Sequence, residues 1–325
     1  MRAAWYDRRG PAAEVLQVGT VPTPEPGPGE VRVRVHLSAI SPGDTKKRGG
    51  YFDAAMPYPR VIPHSDGAGV VDAVGDGVDP ARLGRRVWVW GAQSYRPFGT
   101  AAEHTVVPQG LAVDLPEEVP DTLGACLGIP GITAHRAVFA DGPVTGTTVL
   151  VHGALGGVAT IAAQLARWGG AAQVISTVRR TADLDSAAAR HDGPVVALDD
   201  DPQARITDLA PDGVDRVVEV SLSDNVDLDA AVLRPGGVIA AYATAQARTS
   251  LPFWPMLFDN LTIRLLGSDD FPTAARRHAV TDLTTAAAAS ALDIPVIEPL
   301  PLADIARAHD LVDAGSRSRA LLAMH

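Results

Sequence analysis

The chain has 325 residues, 46% hydrophobic and 20% charged, with a formal net charge of −10 and an isoelectric point near 5.3. That length allows two domains with cores of their own, and the acidity repels nucleic acid and anionic lipid, so neither is an expected partner. The one cysteine, Cys126, excludes an internal disulfide and a cysteine-rich metal site. No apolar run reaches ~18 residues, and MRAAWYDRRG lacks the apolar core of a signal peptide, so a cytoplasmic location is expected.

The first 120 residues read as β-rich. Pro22–Gly29 is a stiff exposed connector, and Val31–Leu37 then alternates strictly, as a half-buried strand should. Val70-Val71 and Val87–Trp90 are further strand cores between Gly, Pro and Asp turns. From Asp121 the pattern becomes strand–helix alternation. Apolar strands at Thr148–His152, Val174–Val178, Val195–Leu198, Val214–Val220, Val238–Tyr242 and Leu261–Leu266 are separated by helical stretches such as Gly157–Trp168 and Asp183–Arg190. Short apolar strands with intervening helices predict a parallel sheet covered on both faces. After Gly267 the chain is helix-rich around Thr281–Leu292 and ends in a short strand, Ala320–Ala323. The expected domains are therefore 1–120 with 268–325, and 121–267.

The segment VLVHGALGGVATIAAQLARWGG, Val149–Gly170, is a strand, a glycine turn and a helix. Such a turn aims backbone N–H groups and a positive helix end at anionic phosphate, and glycines let the chain's backbone approach the ligand closely. Gly153, Gly156 and Gly157 supply that freedom, Ala154 and Leu155 fill the turn, and Val158 follows in the helix. The last fingerprint position is Ala159; it serves helix–strand packing, where alanine is accepted. NAD-binding folds carry an acid at the end of the second strand. Here that strand runs Ser176-Thr-Val-Arg-Arg180, with two arginines and no acid. Arg179 and Arg180 suit a 2′-phosphate, which makes NADPH the expected cofactor. Two solvated arginines at a helix start are the rival account, and Asp199 nearby opposes a phosphate.

Taken in order, Ser41–Asp44 (SPGD), Gly50–Phe52, Ile62–Val71 (IPHSDGAGVV), Gly99–Pro108 (GTAAEHTVVP), Gly128–His135 (GIPGITAH), the glycine turn and Leu233–Gly237 (LRPGG) span the whole chain. In this order and spacing the chain resembles the zinc-independent quinone oxidoreductases, the ζ-crystallin-like branch of the medium-chain dehydrogenase/reductase superfamily. The resemblance implies an α/β protein with a GroES-like β-rich catalytic domain plus a Rossmann doubly wound parallel sheet, NADPH as cofactor and a homodimer. Zinc-dependent relatives place Cys at Ser41 and a His-Glu pair at Ser65-Asp66, and carry a cysteine-rich loop where Gly91–Gly99 runs here. These ligands are missing, so no metal is expected. His64 is one position off and reads as a pocket or structural histidine.

The same correspondence puts Ser41 and Tyr51 beside the nicotinamide as catalytic residues. It assigns Thr133, Asn225, Tyr242 and Ala243 to cofactor contacts along with the glycine turn, Ser176 and the two arginines. Relatives carry Asn at Ser41 and often a tyrosine at Lys46; Asp44 is read as ordering its loop. Phe253–Phe258 is read as core or interface and Cys126 as a core thiol. Without a Lewis acid, hydride donation to an electron-poor carbon of a quinone or α,β-unsaturated carbonyl is the feasible reaction. Two alternatives stay open: a tailoring reductase of secondary metabolism, and an NADPH-binding protein with a cyclase or structural role.

Overall fold

Val31, Val33 and Val35 point inward along the strand Glu30–Ile40, none more than 2% exposed, so the period-2 pattern becomes the spine of an antiparallel sheet. One edge of this strand pairs with Asp66–Val74, with register shifts after Arg32 and Val35 that bend it. The other edge is shared. His104–Pro108 takes its first half, and the C-terminal strand Ala320–Ala323 takes Leu37–Ile40. Arg86–Val89 and Ala112–Asp114 extend the sheet on one side and Leu300–Pro301 on the other, over a valine core of Val71, Val87, Val89 and Val107. The computed structural model describes every residue except Phe52, Ala54 and His325, so Phe52 of the Gly50–Phe52 motif lies outside the described residues.

The second sheet has six strands, all parallel, in the order Val195–Ala197, Gln173–Val178, Thr148–Val151, Val214–Glu219, Leu233–Ala241, Thr262–Leu265. Val149, Leu150, Val151, Val217 and Val218 are fully buried, as a parallel sheet covered on both faces requires. The strand order reverses on the two sides of Thr148–Val151, and ligands of open α/β sheets bind at the strand ends of that switch point. Among the described residues no helix is long and apolar enough to cross a membrane.

The chain divides into two compact units, Met1–Pro130 with Asp293–His325, and Gly131–Leu292. The expected divisions at 120 and 267 differ from these. The helix Thr273–Ala288 lies with the parallel-sheet unit: Leu283 is fully buried and would stand 3.1 Å from a Cβ added to Gly131, and Asp282 bonds His135 at 2.8 Å. The sequence lacked a signal for this, because the helix follows the last strand of its sheet without a break in composition. Phe253–Phe258 is not core. It forms a short helix whose Phe253, Trp254 and Phe258 are 58%, 64% and 73% exposed, and only Met256 is buried.

Candidate functional site

In the parallel-sheet unit, the strand Thr148–Val151 ends at His152 and turns on Gly153, whose φ of +79° strains any side-chain-bearing residue. The Gly156 N–H closes the turn on the Gly153 carbonyl at 2.8 Å, and the helix Gly157–Trp168 starts from Gly156. A Cβ on Gly156 would meet that carbonyl at 3.2 Å and one on Gly153 would meet Val220 Cγ1 at 3.2 Å, so the cradle is shaped by missing side chains. The first N–H groups of a twelve-residue helix, without intrahelical partners, face its opening. These residues fit the pyrophosphate of a dinucleotide. Gly157 and Val158 lie in that first turn, half-buried. Ala159 is 1% exposed and packs inward, as its position requires.

Three of the expected contact residues are placed differently from that expectation. Ala154 is fully buried and its N–H donates to the Thr177 carbonyl at 2.8 Å, so it locks the turn to the next strand rather than meeting phosphate. Ser176 is also fully buried, because this strand is covered on both faces and its consecutive residues Val174–Val178 are all buried. Asn225 is not at a strand end; it sits in the helix Leu222–Val232, and its amide donates to Glu219 at 3.1 and 3.2 Å. Arg179 and Arg180, by contrast, are exposed just past the second strand. Arg180 is 3.8 Å from Asp183. Asp199 accepts from the Thr181 N–H and hydroxyl at 2.8 Å each, and these bonds hold its carboxyl below the usual carboxylate range. It ties down the turn after the arginines. Tyr242 and Ala243 line a cavity of about 560 Å³ with Leu222, Thr244, Leu266 and Gly267, also at the strand ends. Thr133 is buried in the helix Ile129–Phe139.

Beneath the glycine turn lies a group that the sequence reading missed. His152 bonds Thr177 Oγ1 through Nδ1 and Asp229 through Nε2, both at 2.8 Å, with Glu219 at 3.5 Å. Burial pushes the Glu219 carboxyl up, and Asp229 repels it further. Burial alone would lower His152, but Asp229 and Glu219 outweigh it and keep the imidazole raised. The three side chains come from separate elements, so only folding brings them together.

In the antiparallel-sheet unit, Ser41 caps the helix Pro42–Gly49, and Asp44 accepts the Ser41 N–H at 2.7 Å. This is the loop-ordering role expected of Asp44. Arg319 donates to Ser41 Oγ at 3.2 Å. Tyr51 is 63% exposed, with Lys46 Nζ 5.0 Å from its ring centroid. His64 is fully buried, at φ +74°, between Ser38 and His309, each 2.8 Å away. Burial, then the neighbouring His309 and Arg319, push its pKa far down, so it is a neutral structural histidine. Asp66 is buried too. Its Oδ1 accepts from the Ile129 N–H at 2.9 Å, while Oδ2 has no partner. Among the described residues, Ser41, Ser65 and Asp66 belong to no group of three potential metal ligands; those found are His135, His278, Asp282 and His152, Glu219, Asp229.

Comparison with known proteins agrees with this architecture. Residues 27–117 match the alcohol dehydrogenase GroES-like domain family, and residues 157–279 match the family described as zinc-binding dehydrogenase. A probable quinone oxidoreductase of Schizosaccharomyces pombe is 30% identical over 241 residues, 73% of this chain and 70% of that protein. The quinone oxidoreductase of Rattus norvegicus is 36% identical over 167 residues, 50% of this chain; the match spans only 48% of the rat protein's length. The solved structure of a mycobacterial quinone oxidoreductase superposes with a TM-score of 0.87 at 25% identity, covering 100% of both chains. With a GroES-like β unit, a six-stranded Rossmann sheet and a glycine cradle at its switch point, the chain belongs to the quinone oxidoreductase branch of the medium-chain dehydrogenase/reductase superfamily.

Proposed function

We propose that this protein is an NADPH-dependent reductase of quinones or α,β-unsaturated carbonyl compounds that works without a metal ion. The observation that carries the reading is the glycine cradle followed by two exposed arginines and no acid at the end of the second strand. The likeness to the S. pombe quinone oxidoreductase supports the reaction class. When bound, reduced nicotinamide supplies a hydride to the electron-poor carbon of the substrate, whose carbonyl π pair moves to oxygen. The chain's own residues bind and orient. The first N–H groups of Gly157–Trp168 hold the pyrophosphate, and Arg179 and Arg180 hold the 2′-phosphate. The hydroxyls of Ser41 and Tyr51 are the donors for the developing oxyanion, and water supplies the proton that completes the reduction.

The test is to mix the protein with NADPH and either 1,4-benzoquinone or a simple enone, and to follow cofactor absorbance with and without chelator. Turnover that chelator leaves unchanged is expected. Tight NADPH binding without turnover on any acceptor would replace this reading with a non-redox role. The proposal extends to a homodimer, with the exposed Phe253–Phe258 helix and the edge strand Thr262–Leu265 as its contact face.

A further inference from the structure

The C-terminal strand places Ala320 opposite Ile40, so Arg319 stands next to Ser41. Its backbone is anchored on both sides. The Arg319 N–H donates to the Pro295 carbonyl at 2.7 Å, and its carbonyl accepts from Ile297 at 3.0 Å. The side chain is only 8% exposed, and among the described residues no carboxylate lies within 4.0 Å of the guanidinium. What surrounds it is mostly neutral: the Ser41 hydroxyl at 3.2 Å, the Cys126 thiol, and the buried His64. Asp66 is near enough for its carboxyl to be stabilised by the charge, but is not paired with it. Arg319 Nε and Asp66 Oδ2 are both buried without a partner. A buried guanidinium without a carboxylate partner and with an unmet donor at Nε costs stability, so holding the fold does not account for its place beside Ser41.

Guanidinium is a donor only. Once Arg319 Nη2 donates into Ser41 Oγ, the serine proton must turn away from the arginine and toward another acceptor. A hydroxyl that accepts from a cation is a stronger donor in turn, because chained hydrogen bonds polarise one another. Asp44, bonded to the Ser41 N–H, fixes the backbone that carries this hydroxyl.

We propose that Arg319 is a positioning residue for substrate reduction: its buried charge orients and polarises the Ser41 hydroxyl, which donates a hydrogen bond to the substrate oxygen as negative charge develops there. This rests on the reductase reading of the site. Hydride reaches the electron-poor carbon, the π pair moves to oxygen, Ser41 stabilises that oxygen, and water delivers the final proton. Arg319 itself transfers nothing. Substrates whose charge collects on one oxygen, enones and quinones alike, gain from this arrangement.

The test compares Arg319→Met, Arg319→Lys and Ser41→Ala, singly and combined, with NADPH and both acceptors. Arg319→Met should lower kcat about tenfold or more while the KM for NADPH stays within about twofold, the mark of a contact made in the transition state. Arg319→Lys should recover part of that loss. In a Ser41→Ala background neither arginine change should cost anything further, because the hydroxyl they act through is gone. If Arg319→Met does not fold, Arg319→Lys carries the test: its loss must vanish when Ser41 is alanine. Unchanged kcat in Arg319→Met, or losses that multiply with Ser41→Ala, overturn this proposal alone. A wild type that oxidises NADPH with neither acceptor overturns the reductase reading and this proposal together.

Discussion

Asp66 illustrates how much a single residue's chemistry depends on its surroundings. Burial, reinforced by repulsion from Asp44, pushes its carboxyl up to about 7, against the pull of the Ile129 N–H, Arg319 and the Gly91 N–H. In the unfolded chain it titrates near 3.8. Between these values the folded state holds the extra proton, so Asp66 makes stability fall as pH rises from about 4 through 7. Asp66→Asn keeps an oxygen for the Ile129 N–H and cannot ionise. The variant should match wild type in thermal unfolding near pH 4 and become the more stable of the two by pH 8. An equal difference at both pH values would contradict the assignment.

Arg179 and Arg180 were legible as residues because a strand end without an acid is a local pattern. Asp199, expected to oppose a 2′-phosphate, also accepts from Thr181, which keeps its carboxylate ionised. Each charge-assisted contact to a phosphate is worth roughly 1.5–3 kcal/mol in a good site, so NADPH should be preferred over NADH by about tenfold or more in kcat/KM. Replacing both arginines with alanine should remove most of that preference through the KM for NADPH and leave NADH kinetics nearly unchanged. Equal use of both cofactors by the wild type would reduce the arginines to solvated surface.

Among the elements, the glycine cradle is the one whose geometry the sequence spelled out most fully. Strand, turn and helix are contiguous, and the constraint on Gly153 comes from its own backbone at φ +79°. Gly153→Ala should cost about 1–2 kcal/mol of stability from the left-handed backbone alone. Crowding against Val220 should also raise the KM for NADPH several-fold, which steady-state kinetics and thermal unfolding can separate. A variant with wild-type stability and KM would show the turn to be indifferent to its glycine. Direction along an element was harder to read than its existence. Ser176 falls in a correctly placed strand yet is buried along with Thr177 beside it, since a strand covered on both faces carries no alternation to reveal which residues reach the ligand.

At the scale of the whole molecule, a short helix exposes Phe253, Trp254 and Phe258 beside Thr262–Leu265, the edge strand of the Rossmann sheet. A large apolar patch next to an unpaired edge marks an interaction face. With a second copy as the proposed occupant, Trp254→Asp combined with Phe258→Asp should convert a dimer into a monomer in sedimentation equilibrium. Wild type that sediments as a monomer at micromolar concentration would refute the homodimer.

The sequence by itself determined the two kinds of sheet, the glycine cradle, the missing acid and the family, because each of these is written in consecutive residues or in the order of short motifs. Tertiary structure alone decided which unit owns Thr273–Ala288, that Phe253–Phe258 faces outward, and that His152 meets Glu219 and Asp229. It also decided the placement of Arg319 against Ser41, 278 positions earlier in the chain. The physical reason is strand pairing: Ala320–Ala323 reaches Leu37–Ile40 only when the C-terminus returns to the first sheet, and no local pattern encodes the register that sets a buried cation beside one hydroxyl.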